Sequence, residues 1–159
     1  MASGVQPLET RVSQNSHNPS MPVTQPPQIL QTSFTEQTTD LSSTPTAFTY
    51  VTFMTVNVTF TGWSVAEVHF SVSQSNSAAF GAGISYRITI DGTSVVESTI
   101  GTYDSTNAQS LTLRYKSGVL SAGSHTFDVD WNRDTGTNRI RPATQVHEHA
   151  SLLIKEMVI

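Results

Sequence analysis

Gly118-Val119-Leu120-Ser121-Ala122-Gly123-Ser124 opens the stretch, running to Ile159, whose reading decides the fold. The small residues mark a turn, and His125-Thr126-Phe127-Asp128-Val129-Asp130-Trp131 follows. Phe127, Val129 and Trp131 fall on one side, and Thr126, Asp128 and Asp130 on the other. A period of two is the pattern of a half-buried strand. Residues 132–138 form a polar loop, and the chain closes in Ala150-Ser151-Leu152-Leu153-Ile154-Lys155-Glu156-Met157-Val158-Ile159. This last run is expected to be a central strand that completes the core, with Val146, Ala150, Leu152, Ile154 and Val158 inward.

Further back, the same alternation recurs. Phe48, Tyr50, Thr52, Met54, Val56, Val58 and Phe60 mark a long first strand. Ala66, Val68, Phe70 and Val72 mark a second, and Ile84, Tyr86, Ile88 and Ile90 a third. Asp91-Gly92 is a strong hairpin turn. Val96 and Ile100, then Leu111, Leu113 and Tyr115, mark two more strands, and a short one is expected near Arg139-Ile140-Arg141. No segment has a helical period. About eight short strands separated by turns indicate an all-β fold, a β-sandwich or barrel. A long first strand and a terminal last strand favour a jelly-roll β-sandwich in which first and last strands pair, over residues 47–159. An immunoglobulin-like sandwich is the rival arrangement.

Residues 1–46 differ. Six of the seven prolines lie there, at Pro7, Pro19, Pro22, Pro26, Pro27 and Pro45, among Gln, Ser and Thr. Such proline density opposes helix and central strand and favours extended backbone. The sparse apolar residues, among them Leu8, Val23, Ile29, Leu30 and Phe34, cannot make a core of their own. The segment reads as an extended N-terminal arm that orders only against a partner surface. Ile29, Leu30 and Phe34, its densest apolar cluster, are the expected anchors.

The turn Leu120-Ser121-Ala122-Gly123-Ser124-His125-Thr126, the aromatic strand after it, the short loop and the terminal His149-Ala150-Ser151-Leu152-Leu153-Ile154 carry a resemblance. Together they resemble the end of jelly-roll domains of the tumour-necrosis-factor-like type found in virion proteins of tailed bacteriophages. The resemblance covers the chain after the arm. It implies threefold association and a structural role in a particle.

The residues support no enzyme. There is no Gly-x-Ser-x-Gly elbow and no phosphate-binding glycine loop. Asp128 and Asp130 share a strand face that could hold an acid/base pair or a cation, but the alternation already accounts for them as an outer face. His147 and His149 could chelate a metal from one face of an extended segment; a polar lining at a subunit contact is the plainer reading. Arg133, Arg139 and Arg141 gather around the last loop. No cofactor is expected. Charged residues are 13% of the chain and the net charge is −4, which argues against capture of nucleic acid. The first residues lack a signal-peptide pattern and no apolar run is long enough to span a bilayer, so a soluble, cytosolically made protein with no membrane partner is expected.

One pattern points to an interface. Leu153 and Met157 fall on the face of the last strand opposite its core set, with His147 and His149. Val51 and Phe53 do the same on the first strand. An apolar second face marks a contact surface, and a homotrimer through these paired strands is expected. The reading is therefore a capsid decoration (cement) protein at the virion surface, assembled in the host cytoplasm, whose arms engage the major capsid protein. The alternative is a receptor- or glycan-binding module of a tail or head fibre. Exposed loop aromatics would favour a sugar site; the loops offer only Phe80 and Tyr103, which weighs against it.

Overall fold

The structure, a computed structural model, describes residues 27–37, 41–43, 49–76, 83–101, 109–133, 138–140 and 149–158, with the backbone alone at 41–43, 74–76 and 138–140. Ten strands follow one another: β1 (Ile29–Glu36), β2 (Leu41–Ser43), β3 (Val51–Phe60), β4 (Ser64–Asn76), β5 (Gly83–Ile90), β6 (Thr93–Gly101), β7 (Gln109–Leu120), β8 (Gly123–Arg133), β9 (Asn138–Ile140) and β10 (His149–Met157). All pairings are antiparallel. One sheet runs β1-β10-β4-β7, with β9 and then β2 continuing it from the end of β4. The other runs β3-β8-β5-β6. First strand beside last, with the chain crossing repeatedly between two sheets, is the jelly-roll arrangement.

The core lies between the sheets, where the inward sets of alternating strands meet. Val68, Phe70 and Val72 of β4, Ile84, Tyr86 and Ile88 of β5, Phe127, Val129 and Trp131 of β8, and Ala150, Leu152 and Ile154 of β10 are buried there. Asp91 and Gly92 both take positive φ, 50° and 76°, in the two-residue β5–β6 hairpin. That conformation matches the strand twist and suits Asp-Gly.

Two expectations change. The sheet partner of β10 is β1, at Ile29–Glu36, and not the strand that ends at Phe60, which pairs with β8 in the opposite sheet. The boundary drawn between residues 46 and 47 therefore falls inside the jelly roll. Prolines on either side disguise β1, and its pattern is inverted: Gln31, Ser33 and Thr35 are its less exposed residues, while Leu30 and Phe34 are exposed. The second change is Phe53. The β3–β8 ladder pairs Thr52 with Asp130 and Met54 with Val129, leaving Phe53 as an extra residue in a bulge. Its ring enters the core against Trp131, Phe70 and Tyr86, at centroid distances of 5.1, 6.1 and 6.1 Å. The bulge flips the alternation that had placed Phe53 outside.

A buried carboxylate closes one end of the core. Glu156 is inward-facing and 0% exposed. Its Oε1 accepts from the Ser64 hydroxyl at 2.8 Å, the Thr61 amide at 3.1 Å and the Thr61 hydroxyl at 3.4 Å; its Oε2 accepts from Gln31 Nε2 at 2.7 Å. Gln31 also donates to the Thr59 carbonyl at 2.7 Å. Burial pushes the carboxyl up, and these donors outweigh it, holding Glu156 below its ordinary value. Glu156→Gln brings an amide to face these donors, and should cost about 1–3 kcal/mol in denaturant unfolding. A depressed carboxyl contributes stability above its unfolded value and loses it as pH falls through the folded one. The acid-side loss of stability should accordingly be shallower in Glu156→Gln than in the native chain.

A second tie joins the turns at that end. His125 Nδ1 lies 2.7 Å from Asp91 Oδ2 and Nε2 lies 3.0 Å from the Ser121 carbonyl. Both partners can only accept, so both ring nitrogens donate and the imidazolium is favoured. The Asp91 hydrogen bond first, and the Ser121 carbonyl with it, raise His125 above its ordinary value against the opposing effect of burial. A raised histidine stabilises the fold below the unfolded value, about 6.5, and that contribution is lost as pH climbs through the folded value. Thermal unfolding should show this decline above pH about 6.5 in the native chain and not in His125→Asn.

Candidate interaction surface

The outer faces of the two sheets differ. On the β3-β8-β5-β6 sheet, side chains satisfy one another in cross-strand rows. Thr52 donates to Asp130 at 2.5 Å, and Arg87 Nε donates to the other oxygen of Asp130 at 2.8 Å. The Arg87 guanidinium also lies over the Tyr50 ring, 4.0 Å from its centroid. Burial, and the Glu97 carboxylate beside it, push the Tyr50 hydroxyl up to about 12. Thr55 and Thr89 donate to Asp128 at 2.7 and 3.5 Å, and Thr126 donates to Asn57 at 2.8 Å. Asp128 and Asp130 thus sit on the outer face, as the alternation implied, and their oxygens are engaged by threonines and an arginine. Among the described residues, no three His, Cys, Asp or Glu side chains gather to hold a metal ion.

The outer face of the β1-β10-β4-β7 sheet is built otherwise. Register sets its rows. Phe34 lies opposite Leu153, which lies opposite His69 and then Arg114. Thr32, Lys155, Glu67 and Lys116 form the next row. Ile29, Met157, Val65 and Val119 form a third, wholly apolar row. Glu67 ties the charged part together, 2.7 Å from His69 and 3.9 Å from Lys155, and the His69 hydrogen bond holds its carboxyl below the ordinary value. Along β1 and β10, exposed apolar residues flank the Thr32–Lys155 row: Phe34 is 62% exposed, Ile29 55% and Leu30 46%, beside half-buried Leu153 and Met157. Val119, at the far end of the third row, is 51% exposed.

The structure thus joins two sets of residues that the sequence kept apart. Ile29, Leu30 and Phe34, expected as anchors of the arm, line up with Leu153 and Met157, expected in the subunit contact. His149 begins β10 and is exposed. Val51 and Phe53 are not part of this surface; both belong to β3 in the other sheet, Val51 exposed opposite Trp131 and Phe53 in the core. Leu8, Val23, His147, Phe80 and Tyr103 lie outside the described residues. Trp63, in the β3–β4 turn, is 77% exposed and was given no role by the alternation, because it stands in the break after Thr61-Gly62.

No protein-family model and no curated protein matches the chain. Solved structures do. The chain is similar to dimeric latent PorU from Porphyromonas gingivalis, at 11% identity and TM-score 0.41, over 79% of this chain and 13% of that one. It is similar to the infectious bursal disease virus Gt strain structure, at 12% identity and TM-score 0.43, over 82% of this chain and 39% of that one. The VP2 subviral particle of infectious bursal disease virus is similar at 10% identity and TM-score 0.43, over the same shares. The chain spans well under half the length of each.

The two faces should respond unequally to substitution. Asp130→Ala strips Arg87 and Thr52 of their acceptor and should lower unfolding stability by about 1.5–3 kcal/mol. Phe34→Ser removes an exposed side chain and should stay within about 0.5 kcal/mol of the native chain.

Proposed function

We propose that this protein is a virion structural protein, a decoration protein of a phage capsid, whose jelly roll associates as a homotrimer on the shell. The observation that carries the reading is the apolar outer side of β1 and β10. Phe34 with Leu153, and Ile29 with Met157 beside Leu30, stand there on either side of the Thr32–Lys155 row, on a face where a solitary domain would place polar groups. Jelly rolls serve widely as shell-building domains, which supports the role by analogy of fold. In this reading the contact between copies runs through β1 and β10, and the proline-rich segment before β1 reaches the major capsid protein.

A second reading rests on Trp63. A tryptophan 77% exposed on a tight turn is a ready platform for a sugar ring or a receptor side chain. It favours a receptor- or glycan-binding module of a tail or head fibre.

Three measurements test these readings. Light scattering of the purified chain should give three copies, and Leu153→Asp, which forces a charge into the contact, should give one. Pelleting with undecorated shells of the major capsid protein should retain the full chain, while a chain beginning at residue 27 keeps its fold and stays in the supernatant. Trp63→Ala should leave shell binding unchanged; loss of glycan binding by that variant, with no shell binding by the native chain, would move the assignment to the fibre module.

A further inference from the structure

β1 belongs to the sandwich without contributing to its core. None of its residues is among the buried or partly buried apolar side chains that pack there. Gln31, Ser33 and Thr35 lie opposite Glu156, Ile154 and Leu152, while Leu30 and Phe34 are exposed. The strand is held by its ladder to β10, by backbone bonds that prolong the ladder from Val158 N to Gln28 O and from Gln37 N to Ala150 O, and by Gln31. If β1 leaves, the core side chains keep their apolar neighbours, and Glu156 keeps Ser64 and Thr61. What opens is one edge of β10 and one oxygen of Glu156. The edge of β10 is therefore a strand-acceptor site, specified by backbone groups and by a buried carboxylate that selects a glutamine.

We propose that in the assembled protein β1 of one copy docks on β10 of the next, so that Gln31 of each subunit completes the Glu156 site of its neighbour. This rests on the self-association proposed above. A second copy is the occupant that fits by construction, since it carries the same octet with Gln31 in the same register. The fourteen residues between Glu36 and Val51, which include the three-residue β2, provide the connection. With β2 released from β9 and the chain fully extended, they span up to about 45–50 Å, ample for an adjoining subunit. In a closed ring every copy gives one strand and receives one, so the ladder and the Gln31–Glu156 bond are conserved. The entropy of association and the release of the short β2–β9 ladder oppose the exchange. Cover for Leu30, Phe34, Leu153 and Met157 at the crossing offsets it.

The chain has no cysteine, which makes the test clean. Thr32 and Lys155 are directly opposed in the ladder, as are Glu36 and Ser151. The full-length double variants Thr32→Cys/Lys155→Cys and Glu36→Cys/Ser151→Cys are oxidised under native conditions and run on denaturing, non-reducing gels, with light scattering on the same samples. Exchange predicts covalent multimers up to the native copy number, collapsing to single chains on reduction. Oligomers whose crosslinks all fall within single chains overturn the exchange and leave self-association standing. Monomers crosslinked internally overturn both.

Discussion

The Glu156 carboxylate is the constraint on which the arrangement depends. It stands where an apolar side chain would continue the series Ala150, Leu152 and Ile154, and it is wholly enclosed. A charge in that position is tolerable only if its lone pairs are filled. The donors come from β1, from the β3–β4 turn and from the start of β4, so filling them fixes where all three lie against β10. A one-residue slip of β1 would turn Gln31 to the outer face and leave the carboxylate short of a donor. The polar site thus sets register at a place where β1, having no apolar inward side chain, could not set it by packing.

The sequence was legible wherever alternation and burial agree. Phe127, Val129 and Trp131, or Ile84, Tyr86 and Ile88, alternate with polar residues and face the core as the pattern requires. Reading failed where the two part company. β1 alternates, but its apolar residues are the exposed ones, so a rule that sends apolar residues inward gives no reason to seat it in the sandwich. Phe53 was misplaced because a single bulged residue inverts every assignment on one side of it, and no local composition announced the bulge. The candidate surface was half visible: Leu153 and Met157 stood out as apolar residues on the wrong face, and Phe34 stood out as apolar in a poor segment. That they adjoin depends on the pairing of Phe34 with Leu153, far along the chain, which a local pattern cannot reveal.

The contrast between the two outer faces follows from the chemistry of their rows. On the β3-β8-β5-β6 sheet, threonine hydroxyls and an arginine are spent on Asp128 and Asp130, so the face is hydrophilic yet largely self-contained. On the other sheet, the charged row around Glu67 reaches Lys155 of β10, and on either side of it Ile29, Phe34 and Val119 stay exposed among the described residues. Recognition is better served by the second kind of surface, because burying it releases water without breaking an existing network.

The pairing of β1 with β10 also bears on synthesis. Among the described strands, β1 is made first and its partner β10 last. At about 5–20 residues per second, the chain between them takes on the order of ten seconds to appear. Through that interval Leu30 and Phe34 are presented on a strand with no sheet to join. On a crowded polysome the first β10 available to a waiting β1 can belong to the chain ahead of it. The order of translation and the topology of the sandwich thus leave β1 without its partner strand through most of the synthesis of the sandwich.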